Sequence, residues 1–119
     1  MSDDFEMNRQ KAVKLIEYIL DESVSWINED EFLEDILEGL KIAVILTRDI
    51  LLIRSGSDRI MNIDLENDLR RLAEKAAHDK IMAAYRRLVR AIDLINNNTN
   101  RHIVFSDLVY GKQGGNLID

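Results

Sequence analysis

Leu40–Asp64 reads LKIAVILTRDILLIRSGSDRIMNID, and the fold turns on it. Its first half is apolar almost all the way round. A helix that is apolar on every side is buried on every side, so this segment is expected at the centre with the rest of the chain packed around it. Ser55–Gly56 supplies a stop, and Asn62 or Asp64 opens the next helix. The charged pair Arg48–Asp49 interrupts the apolar run. The neighbours of Arg48 at three and four residues are Val44, Ile45, Leu51 and Leu52; those of Asp49 are Ile45, Leu46, Leu52 and Ile53. Burying an unpaired charge costs several kcal/mol. Each must therefore find a partner on another helix or another chain, or reach water. The plain expectation is a structural pair that ties the central helix to a neighbouring turn; a place at a subunit interface is the alternative.

Upstream, Glu29–Arg54 reads as one long helix. Phe32, Leu33, Ile36, Leu37 and Leu40 line one side of its first half, and Glu31, Glu34, Asp35 and Glu38 the other. Asn28 followed by Glu31 resembles a capping box. Gly39 costs about 1 kcal/mol relative to alanine in a helix, and a close approach by another helix would explain it. Trp26 precedes the cap and is expected as a packing anchor, or more sharply as an interface anchor. From Phe5 to about Glu22, Ala12, Val13, Ile16, Ile19 and Leu20 recur at helical spacing and define a first helix.

Downstream, Leu65, Leu69, Leu72, Ala73 and Ala76 form the stripe of a third helix. Its acidic residues come first, and Lys75 and His78 lie near its end, the order a helix dipole favours. After a joint at Ala77–Asp79, a fourth helix takes Lys80 to about Asn96. Ile81, Tyr85, Leu88, Ile92 and Ile95 face inward, with Met82 and Val89 beside them. Asn96–Asn100 is a turn made almost wholly of asparagine, which tolerates left-handed backbone. A last helix runs from Arg101 to about Tyr110. The reading is thus an all-α single domain, residues 1–110, of about five helices around a long central one, with a Gly-rich tail at 111–119.

Composition agrees. The 119 residues hold no proline and no cysteine, and Leu, Ile, Ala and charged residues dominate. Disulfides and cysteine zinc sites are excluded, and a reducing, cytoplasmic setting is expected. The net charge of −6 argues against direct nucleic-acid binding and against an anionic membrane surface. No apolar run is long enough to span a bilayer.

Chemistry finds little to work with. Arg86, Arg87 and Arg90 form a basic stripe that could meet phosphate; in so acidic a chain, neutralisation by the acidic faces of other helices is the expectation. Arg71 and His78 loosely match the Arg and His of HEPN-type helical ribonucleases, where His moves a proton and Arg steadies phosphate. The interval RLAEKAAH departs from that family by placing Leu after the Arg. His102 is isolated. There is no Glu-x-x-His pair for a di-iron bundle, and neither glycine-rich nucleotide motif occurs. The residues predict a helical interaction domain with no catalytic, cofactor or metal residues.

Two segments add a family resemblance. RDILLIRSGSDRIMNID resembles a stretch in the C-terminal collar domain of the delta-prime subunit of bacterial DNA polymerase III, a clamp-loader family; the matching residues are Arg48, Asp49, Leu51, Leu52, Asn62 and Asp64. AIDLINNNTNRHIVFSDLVYG is similar to that family's closing motif, with Asn97 and Asn100 matching its asparagines. Arg101–Val104 departs from the Leu-rich run usual there. The resemblance covers about Leu33–Tyr110. It implies a fragment of a clamp-loader subunit without its two ATPase-fold modules. The fragment's share would be oligomerisation: collar contacts to the delta and gamma/tau subunits during sliding-clamp loading in DNA replication, with no enzyme activity of its own. Exposed apolar surface, or self-association of the isolated chain, is expected. A stand-alone helical adaptor is the competing reading, and the helical ribonuclease a more remote one.

Overall fold

Residues 29–54, whose periodicity predicts one helix, form two. The computed structural model describes residues 3–21, 28–57 and 59–111. They form α1 (Asp3–Leu20), α2 (Glu29–Leu33), α3 (Ile36–Arg54), a 3-10 turn (Ile63–Leu65), α4 (Glu66–Lys75), α5 (His78–Asn96) and α6 (Arg101–Gly111). The protein is an all-α bundle, and no strand occurs among the described residues. Trp26 and the tail from 112 to 119 lie outside the described residues.

The α2–α3 break has a definite cause. In one continuous helix the carbonyls of Leu33 and Glu34 would accept the N–H groups four residues on. Instead, the Lys11 ammonium on α1 donates to the Glu34 carbonyl at 2.9 Å. Arg101 of α6 donates to the Leu33 carbonyl at 3.3 Å. Asp35 takes a left-handed conformation (φ 52°, ψ 42°) and turns the chain into α3. Aspartate is among the few residues that tolerate this region. The break lets α2 lie against α6, where Phe32 and Phe105 pack with ring centroids 5.3 Å apart.

α3 is the centre. It packs on α1, α4 and α5, and buried side chains from all six helices form one core. It is not buried on every side, however. Lys41 and Arg48 are exposed, and Ile45, Leu51 and Leu52 are only half-buried. This wet strip resolves the expected difficulty of Arg48, whose guanidinium reaches solvent.

Gly39 is buried, but a Cβ built there meets no atom within 4 Å, so no close helix approach accounts for it. His78 begins α5 and does not end α4. On α5 the fully buried line is Ile81, Ala84, Leu88 and Ala91, and Val89 is exposed.

Several helix C-termini are closed by cations from other helices. Arg54, at the end of α3, donates to the Ala73 carbonyl and, at 2.8 Å, to the Ala76 carbonyl at the end of α4. Arg87 of α5 donates to the Asp107 carbonyl and, at 3.0 Å, to that of Leu108 in the last turns of α6. The last carbonyls of a helix carry partial negative charge and lack intrahelical donors, so a guanidinium satisfies both needs. The expected neutralisation of the basic stripe by carboxylates is corrected for Arg87, whose partners are carbonyls.

Candidate functional site

The segment after α3 is shaped by its own end. Ser57 N donates to the Leu52 carbonyl at 2.9 Å and Gly56 N to that of Ile53 at 3.0 Å, a Schellman closure with Gly56 at φ 87°. The chain then returns past α3 to the 3-10 turn. Asp49 holds it there. This carboxylate is completely buried. It accepts from Met61 N at 3.1 and 3.2 Å, from Asn62 N at 3.0 Å and from Asn62 Nδ2 at 3.2 Å. Three N–H donors thus replace the water that Asp49 loses, which is how a carboxylate without a cation can sit in the core. The expected tether exists, and Asp49 forms it alone. Arg48 takes no part.

Holding Asn62 inward turns its two neighbours outward. Met61 is 63% exposed and Ile63 is 70% exposed, the two most exposed large apolar side chains described. The next residue, Asp64, is pinned from the other side. Arg9 of α1 grips its carboxylate at 3.0 and 2.7 Å, bonds Glu6 at 2.7 Å, and lies 5.9 Å over the Phe5 ring. Arg9 is itself mostly buried, and its hydrogen bonds hold the Asp64 carboxyl below the usual carboxylate range. The exit turn is therefore braced at both ends, with two apolar side chains displayed between the braces.

The other matched asparagines are caps. Asn97 Nδ2 donates to the Asp93 carbonyl at 2.8 Å. Asn100 Oδ1 accepts from His102 N at 2.8 Å, opening α6. Between them Asn98, at φ 66°, closes α5 as Gly56 closes α3: Thr99 N donates to the Leu94 carbonyl at 2.9 Å and Asn98 N to that of Ile95 at 3.0 Å. The Asn-rich turn is thus a second Schellman closure with asparagine in the glycine position.

Arg71 and His78 form no evident catalytic pair. Arg71 bonds Glu17 at 3.1 Å and Asp68 at 3.4 Å, and His78 is exposed at the start of α5. His102 Nδ1 lies 3.0 Å from Glu29, joining α6 to α2. Among the described residues no group of three or more acidic or histidine side chains could hold a metal ion. No described helix is long and apolar enough to cross a membrane.

Sequence reasoning passes over Arg9, Lys11, Arg54 and Arg101. Only Lys11 leaves a trace in the pattern, lying on the apolar face of α1 between Met7 and Leu15 at four-residue spacing. Comparison with known proteins finds no family model that matches this chain, and no curated protein or solved structure significantly similar to it.

Proposed function

We propose that this chain is an assembly domain that docks neighbouring subunits, in the manner of the delta-prime collar of the bacterial clamp loader. One observation carries the reading: a fully buried Asp49 fixes a turn whose apolar side chains Met61 and Ile63 face solvent. Rigid display of apolar groups at a turn costs solubility and serves no internal packing. It is what a docking contact needs, because ordering costs are met before the partner arrives. The resemblance of Arg48–Asp64 to the family's motif supports the same reading, since the bracing residues are among those that match.

In this role the domain holds partners in register and performs no chemistry. The partners are the delta and gamma/tau subunits, with Met61 and Ile63 as contact residues and Asp49, Asn62 and Asp64 as the frame. Co-purification of the chain with those subunits tests the proposal. Retention of either subunit supports it; no retention of either at any ratio would remove it and leave a helical adaptor with some other partner.

A further inference from the structure

The charges of this chain are segregated. From residue 29 to 38 there are six acidic residues and no basic one; from 81 to 92 there are three arginines and no acidic residue. The structure puts each set beside exposed apolar surface. Between α1 and α2 runs an open groove of about 450 Å³ lined by Glu6, Met7, Gln10, Lys11, Glu31 and Glu34. Met7 is 52% exposed in it, and Glu31 and Glu34 are exposed. Lys11 donates to the Glu34 carbonyl, Arg9 pairs with Glu6, and the exposed Lys14 lies 3.5 Å from Glu31. Of the three rim carboxylates, Glu34 alone has no salt-bridge partner among the described residues, while the pairing at Glu31 is exposed and open to exchange. On α5, Arg86 and Arg90 are exposed and share a helical face with Val89, the one large apolar side chain of that helix left in solvent. The third arginine, Arg87, is taken up by α6. One face is an acidic groove with an apolar lining. The other is a ridge with an apolar centre and two cations.

We infer that the α5 ridge of one copy docks in the α1–α2 groove of a second copy, with Val89 against Met7 and with Arg86 and Arg90 against Glu31 and Glu34. Opposite potentials on two distinct patches of one molecule favour a head-to-tail contact, which leaves one free groove and one free ridge on every pair. The contact engages neither Met61 nor Ile63, although Glu6 of the groove also bonds the Arg9 that braces their turn, and it needs none of the subunits proposed to meet that turn.

Sedimentation velocity of the full chain tests the inference. The expected result is association that weakens about tenfold when salt rises from about 0.05 M to about 0.5 M. The double variant Arg86→Glu/Arg90→Glu lacks a ridge, and Glu31→Gln/Glu34→Gln lacks a groove. All four side chains are exposed, so both variants keep the helical circular dichroism of the parent. Each alone associates at least about tenfold more weakly than the parent, and an equimolar mixture forms a one-to-one complex and nothing larger, because each supplies the face the other lacks. A parent that stays monomeric at low salt overturns the inference, as does a mixture of folded variants that fails to pair. Association abolished by Met61→Ser/Ile63→Ser overturns it too, by moving the self-contact to the exit turn, and leaves the proposed subunit docking standing.

Discussion

Asp49 is completely buried and has no salt-bridge partner among the described residues, yet four contacts converge on its two oxygens from the exit turn. Replacing it by alanine strands two backbone N–H groups and one side-chain amide in a half-buried place. The expected loss is about 2–4 kcal/mol, read as a shift of the urea midpoint. Asp49→Asn puts an amide NH₂ against these donors and is expected to cost less than alanine but still about 1–2 kcal/mol. At Asp64 the sign is that of a depressed carboxyl. Its stabilising contact with Arg9 is fully present above the ordinary carboxylate pKa and is lost as pH falls through the lower folded value. The parent is therefore more stable than Asp64→Asn at neutral pH, and the two converge in strongly acidic solution; denaturant titrations across that range show it. The demand for a partner at Asp49 was legible from its helical neighbours alone. Its answer was only partly so, because two of the three donors are backbone N–H groups, which leave no mark in sequence, and the third is the side-chain amide of Asn62.

Among the elements, helix ends carry the lesson. The core stripes of α1 and α4 read correctly because a 3.6-residue period in apolar residues is visible without any tertiary knowledge. The α2–α3 break did not read, because the apolar pattern runs straight through Leu33, Ile36 and Leu40. Lys11 and Arg101, distant in sequence, take the two carbonyls and stop the helix. The Schellman closures at Gly56 and Asn98 sit where glycine and asparagine clusters announced turns, although the left-handed residue of the second is Asn98 and the matched residues Asn97 and Asn100 flank it. Two substitutions follow. Gly39→Ala, in helical backbone with no atom near the new Cβ, is expected to stabilise by about 1 kcal/mol. Asn98→Gly removes the residual left-handed cost and is expected to stabilise by up to about 1 kcal/mol. Thermal unfolding of each variant against the parent measures both.

At the scale of the molecule, one core is shared by six helices, and cations from other helices close several of their ends. Each such cap ties two helices by polar contacts at the edge of the core, so the helices are expected to unfold together. Arg54→Ala, which frees the Ala73 and Ala76 carbonyls, is expected to cost about 1–2 kcal/mol without changing the steepness of the denaturant transition. The bundle built this way turns outward both the braced Met61–Ile63 turn and the charge-segregated faces of α2 and α5, as well as the exposed side chains of Phe5 and Ile103. An assembly domain needs such a division, with polar capping inside and apolar groups at fixed places outside. The most direct measurement is a binding titration of the parent and of Met61→Ser/Ile63→Ser against the clamp-loader delta and gamma/tau subunits, with circular dichroism to verify folding. The parent is expected to bind and the folded variant to bind at least about tenfold more weakly; equal binding by parent and variant, or none by the parent, would rule out docking through the exit turn.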